Sequence, residues 1–295
     1  MSPDAPVPRE ATPRQKSLCG PVVTRTLEQL TTALAGDPHG QAWRLSGAYR
    51  GSGAWFTPGP RAAAHILSPA AFRSALSLRL LLPATWSPPG AYADCPHCRS
   101  LERGDRTRDH RFHGLNCRLG AGARTTRHDA CRDALVQALR RLFGSSAVLC
   151  EPRLGPGLKE PDLSLATAAG VLHIDVSVVN PAADRHVAAH SDTTPTAAAV
   201  LGEHGKRTQY QHTLRSLGLR DDVFVPFVVE ATGRLGPSAL AFLDHVTTLP
   251  GVRGHVDVAQ TLKFLVGAIT ASVHRGNSLS MARSREQSQV LMTIS

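Results

Sequence analysis

Asp162-Leu163-Ser164-Leu165-Ala166-Thr167-Ala168-Ala169-Gly170-Val171-Leu172-His173-Ile174-Asp175 reads as two short strands joined by a turn. Residues 162–166 and 171–175 alternate polar or small side chains with large apolar ones, the period of a half-buried strand. Thr167-Ala168-Ala169-Gly170 is a short turn with glycine at its end. Closing it pairs 166 with 171, 164 with 173 and 162 with 175, so Asp162 and Asp175 are predicted opposite each other on one face. Like charges in that position repel, and an aspartate amid Leu172, Ile174, Val176 and Val178 is costly without a partner. A divalent cation supplies one, because Mg²⁺ takes carboxylate oxygens from a protein and completes its shell with water and phosphate. The plainer role for Asp162 is a turn cap after Pro161. Glu151 and Glu160 are candidate outer ligands, with Glu160 better read as a solvent residue.

The rest of the composition suits a polyanionic partner. The 295 residues carry a formal charge of +10 and a pI near 10. The stretch from Arg99 to Arg141 holds eleven arginines against Glu102, Asp105, Asp109, Asp129 and Asp133, the pattern of a DNA-backbone footprint. Apolar content is an ordinary 42% and aromatic content only 5%, so the core must be built mostly of Ala, Val and Leu. No run is long enough to span a membrane, and residues 1–15 have no apolar stretch of the kind a secretory signal needs. Clustered cysteines point to metal rather than to secreted disulfides, and so to an intracellular protein.

Cys95-Pro-His-Cys98 and His113-Gly-Leu-Asn-Cys117 supply two close pairs of ligands, the donor set of a closed tetrahedral Zn²⁺ site. His97 and His110 compete with His113 for the fourth position. Cys19 is read as a tail thiol, Cys131 and Cys150 as small core residues, and His128 as part of a helix start.

Around these motifs the pattern predicts helices over 22–34 and 71–82, and a third opened by a capping box at Thr126-Arg-His-Asp129 and stopped by Gly144. A strand over 147–150 precedes the hairpin. A helix then starts at Thr194-Pro195 and runs to about Leu217, weakened in the middle by Gly202 and Gly205. A buried strand over 223–230 and two helices, 237–249 and 256–280, complete the order. Lys206 is the only lysine between residues 160 and 262, and Tyr210 lies one turn further on the same helix face. A lysine there can orient or deprotonate an attacking water beside the aspartates, which an arginine cannot.

Taken in order, these pieces resemble the restriction-like endonuclease domain of site-specific non-LTR (LINE-type) retrotransposons. The likeness rests on Cys95, Cys98, His113 and Cys117, on Arg127-His128-Asp129, on Glu151-Pro152, and on Pro161-Asp162 with twelve residues before Asp175. Lys206 to Tyr210 and the strand Pro226-Phe-Val-Val-Glu230-Ala-Thr-Gly233 extend it, so that it covers about residues 50 to 285. Ser177 stands where an orthodox motif carries its lysine, Glu160 where a basic residue usually precedes the proline, and Gln209 where a second lysine is common.

The resemblance implies an α+β (α/β) fold with a PD-(D/E)xK core, a mixed sheet flanked by helices, preceded by a zinc knuckle. Composition and pattern mark residues 1–50 as a disordered leader and a helix, and the resemblance implies a linker over 51–92, a CCHC knuckle over 93–125, the nuclease domain over 126–285 and a tail over 286–295. Asp162 and Asp175 would hold Mg²⁺, with Lys206 and Tyr210 completing the catalytic set, and Cys95, Cys98, His113 and Cys117 would hold structural Zn²⁺. The implied partner is double-stranded DNA in the nucleus, with element RNA a further candidate. A polymerase signature is not among the motifs: Leu219-Arg-Asp-Asp222 lacks the aromatic, so the resemblance implies a C-terminal piece, a truncated copy or a standalone derivative. The rival expectation is a zinc-dependent DNA-binding module without catalysis; a single-strand RNA binder is weaker, because aromatic residues for base stacking are few.

Overall fold

The computed structural model describes residues 24–56, 63–81, 112–116, 121–249, 252, 254 and 256–294. A helix over 24–33 comes first, followed by α1 (Pro38–Gly47) and α2 (Pro69–Arg79). Each of these two starts on a proline behind a capping side chain: Asp37 accepts from Gly40 N–H, and Ser68 from Ala71 N–H. Then come α3 (Ala121–Phe143), β1 (Val148–Cys150), β2 (Leu163–Thr167), β3 (Gly170–Val179), α4 (Ala197–Ser216), β4 (Phe224–Glu230), α5 (Pro237–Thr248) and α6 (Val258–Ile294).

The four strands form one mixed sheet in the order β1-β2-β3-β4. The hairpin register is the predicted one: Leu163 faces Ile174, Ser164 faces His173, and Ala166 faces Val171. Gly170 closes the turn at φ 130°, a conformation that costs glycine little and other residues more. Strand β4 lies parallel to β3, with Asp175 opposite Pro226, and α4 makes the crossover that a parallel pair requires.

Alternation along the strands divides the sheet into two faces. Leu163, Leu165, Ile174, Val176, Phe227 and Val229 are fully buried against α3, α5 and α6. The opposite face carries Val179 and Val228 under Ala198 and Ala199 of α4, and Phe224 under Tyr210 and Leu214. The protein is therefore a mixed α+β fold, a four-stranded sheet with helices on both sides.

Three boundaries differ from the sequence reading. Helix α3 starts at Ala121, so Thr126 is no cap: its hydroxyl donates back to Gly122 O at 2.9 Å inside the helix. The turn Thr194-Pro195 precedes α4 rather than opening it; Thr196 takes a left-handed φ of 77° ahead of Ala197. Helix α6 continues through residue 294, across the expected tail. Helix α4 is also unbroken at Gly202, where a Cβ would meet Val179 Cγ1 at 3.1 Å and Val228 Cγ1 at 3.2 Å. The glycine is there for close approach to the sheet.

Residues 38–56 and 63–81 pack onto α6. Trp43 stacks on Phe112 at 4.9 Å, within a cluster that includes Leu78, Leu115, Ala231 and Met281. Trp55 and Ala75 bury Ala271. Helix α6 is tied to α3 and the end of β4 by polar bonds. Arg127 donates to Asn277 Oδ1 at 2.6 Å, and Asn277 Nδ2 donates to Ala231 O at 2.8 Å. Among the described residues no helix is long and apolar enough to cross a membrane.

Candidate functional site

Asp175 sits on the α4 face of β3, 4% exposed, and two residues of α4 reach it. Lys206 forms an ion pair with Asp175 Oδ2, and the Tyr210 hydroxyl is 2.6 Å from Oδ1. The spacing of one turn along α4 is what brings both to a single carboxylate. Tyr210 also lies 2.5 Å from the Glu160 carbonyl, so one hydroxyl proton faces two acceptors. Its ring stacks on Phe224 at 4.3 Å, and Lys159 Nζ lies 5.3 Å from the ring centroid. Burial, reinforced by Asp175, pushes the phenol pKa upward, which keeps the hydroxyl a donor.

Asp162 stands one residue before β2, and its position follows from the hairpin register continued one pair further. Its Oδ2 accepts the Val176 N–H at 2.6 Å and meets His128 Nε2 at 3.1 Å. His128 Nε2 is also 3.0 Å from Val176 O, so that nitrogen must carry a proton. The Asp162 bond, working against burial, raises the His128 pKa to about 9, which makes the ring an imidazolium at neutral pH. Burial opposes ionisation of Asp162, but the bonds from His128 and Val176 and the nearby charge of Lys206 hold its pKa below the usual value. Asp162 and Asp175 thus each have a cation of their own.

Of the four residues expected together, Asp175, Lys206 and Tyr210 are in direct contact, and Asp162 lies near enough for the charge of Lys206 to act on it. His128, expected at a helix start, instead reaches across to Asp162 and Val176. A signal existed: Cys131, Leu135, Ala138 and Leu142 form the buried stripe of α3, and continuing it one turn back lands on His128. Tyr210 is 1% exposed, so its hydroxyl positions Asp175 and is not offered to a substrate phosphate. Glu151 turns outward to Arg132, 2.6 Å away, and Glu160 contributes its carbonyl.

Cys95, Cys98, Cys117, His97 and His110 lie outside the described residues. For His113 the structure describes only its place in a one-turn helix, His113–Asn116, where Gly114 abuts Met281 of α6. Cys131 is buried, its thiol pushed up to about 12 by burial, and Cys150 is half-buried at the edge of the core. Among the described residues no group of three or more His, Cys, Asp or Glu side chains is placed to hold a metal ion. Two carboxylates are oxygen donors of the kind Mg²⁺ takes when it keeps several waters and shares a substrate phosphate, and they are too few for a metal needing a full protein cage. Compared with known proteins, the sequence matches no family model, and no curated protein is similar enough to count as a relative.

Proposed function

We propose that this chain is a Mg²⁺-dependent DNA endonuclease of the PD-(D/E)xK type, resembling the nuclease domain of non-LTR retrotransposons and acting with a CCHC zinc knuckle on chromosomal DNA. The observation that carries the reading is Asp175 held between Lys206 and Tyr210, with Asp162 opposite it across the hairpin. Asp162 and Asp175 would hold Mg²⁺, which when bound polarises a scissile phosphate and acidifies its attacking water.

The side chains divide the remaining work. Tyr210 holds Asp175 Oδ1, and the Val176 N–H holds Asp162 Oδ2, so one oxygen of each carboxylate is fixed in direction. Lys206 neutralises Asp175 in the absence of metal. With the carboxylate engaged elsewhere, its ammonium is free to face the phosphate and counter the charge that builds there, or to orient the water. The positive charge of the chain, +10 overall, favours the DNA backbone as the polyanion.

One observation favours a second reading. Both aspartates already have a cationic partner, Lys206 and His128, so the pair is stable without metal. A DNA-binding module that no longer cleaves would have the same arrangement. Supercoiled-plasmid nicking separates the two. The nuclease reading requires nicking with Mg²⁺ and none with EDTA, and a loss of about 100-fold or more in Lys206→Ala with DNA binding retained. Binding without nicking, indifferent to Mg²⁺, establishes the second reading.

A further inference from the structure

A cavity of about 180 Å³ opens between the N-terminal helices, the end of β4 and α6, away from the aspartates. Thr232, on its wall, lies just past the end of β4, six residues beyond the Pro226 position that faces Asp175. The inner wall is formed by Trp43, Thr232 and His274, all buried, and Leu27, Arg44 and Arg79 stand nearer solvent.

His274 is the unusual member. It is 3% exposed, and neither ring nitrogen has a hydrogen-bond partner. Two unmet polar atoms on one buried ring are costly. Burial, with Arg79 nearby, drives its pKa down to about 3, so the ring is neutral and presents one donor and one acceptor. Arg44 and Arg79 pair with no carboxylate among the described residues. Arg44 Nε donates to Gln41 Oε1, and Arg79 Nη1 donates to Gly47 O, leaving the other guanidinium N–H groups available.

These features select a ligand by chemistry. The space suits one flat ring system, since a cavity of about 150 Å³ accommodates benzene. An indole in the wall favours an aromatic guest. A neutral imidazole holds one unmet donor and one unmet acceptor, and either can pair with a polar ring atom of a guest such as a nucleobase. Two unpaired guanidiniums at the mouth ask for a phosphate outside the ring.

We propose that this cavity binds one nucleotide unit, its base inside against Trp43 and His274 and its phosphate on Arg44 and Arg79. The site is separate from the aspartates and does not depend on their chemistry. The unit can be a free mononucleotide or an unpaired nucleotide of a strand, and the test distinguishes them.

Binding is measured by calorimetry on the full chain carrying Asp175→Asn, in EDTA, so that cleavage plays no part. The probes are dAMP, dCMP, the nucleoside deoxyadenosine, inorganic phosphate, and a duplex with or without one bulged nucleotide. The expected result is binding of a mononucleotide, or a preference for the bulged duplex, at least about tenfold above phosphate and nucleoside or above the intact duplex. Arg79→Ala, at an exposed position, should weaken that binding about fivefold or more, and His274→Phe, which keeps the ring and removes both polar atoms, should abolish it. Thermal unfolding of both variants establishes that they are folded. Equal binding of phosphate alone, no binding of any probe, or binding unchanged in folded Arg79→Ala and His274→Phe overturns the proposal. Loss of nicking elsewhere in the molecule would leave it standing.

Discussion

Tyr210→Phe removes a single oxygen from the centre of the site and tests how that site is held. The ring stays stacked on Phe224, so no cavity opens and the packing contribution is retained. What disappears is the donor 2.6 Å from Asp175 Oδ1 and 2.5 Å from the Glu160 carbonyl, at a residue 1% exposed. A hydrogen bond to a charged group contributes about 1.5–3 kcal/mol, and the carbonyl left without a donor adds to the loss, so the variant should be less stable by about 2–3 kcal/mol. For a chain of this size that lowers Tm by roughly 4–8 °C, read by calorimetry at neutral pH without metal. Nicking should fall as well, because Asp175 loses one of its two anchors. A Tm within about 1 °C of the wild type would mean that the phenol and Asp175 exchange their bond for water at no cost, and that the bond does not hold the site.

His128 provides a pH test with a definite sign. Its pKa is raised from 6.5 to about 9 by Asp162, so its contribution is fully present below about pH 6.5 and is lost as pH rises through about 9. Chemical denaturation of the wild type should therefore show stability falling between those values, and His128→Gln should flatten that slope; an unchanged slope contradicts the ion pair. Arg127 is buried, its pKa lowered to about 10 by burial, and it donates to Asn277. Arg127→Met should cost about 1–3 kcal/mol by leaving Asn277 Oδ1 unmet, and a neutral result in urea titration would remove that bond from the account. The two glycines of α4 should respond in opposite directions. Gly205 has nothing within 4 Å of an added Cβ, so Gly205→Ala should stabilise by up to about 1 kcal/mol. Gly202→Val, pressed onto Val179 and Val228, should destabilise by about 1–3 kcal/mol; equal signs in thermal unfolding would show that α4 is not seated on the sheet there.

The hairpin was legible because its side chains alternate with period two and a glycine marks where the turn must close. That alone sets the facing of 163 with 174 and brings Asp162 and Asp175 together. Lys206 and Tyr210 were legible because helical spacing puts them on one face, whatever that face meets. The start of α3 was not, since Thr126-Arg-His-Asp129 satisfies a local capping rule while Ala123 and Arg127 are buried by distant parts of α6. His128 escaped for a related reason. Its partner Asp162 is 34 residues away, and only the packing of α3 on the sheet makes the contact. Gly202 looked like a weak point in a helix because the value of a missing Cβ depends on Val179 and Val228, which lie on two different strands.

Asp162 and Asp175 are proposed to act together on one Mg²⁺ to cut DNA. The decisive measurement is nicking of supercoiled plasmid by the wild type and by Asp175→Asn, in Mg²⁺ and in EDTA at matched DNA occupancy. The expected result is Mg²⁺-dependent nicking by the wild type, and none above background by a folded Asp175→Asn that still binds the plasmid. Nicking that persists in Asp175→Asn, or that proceeds equally in EDTA, would contradict it.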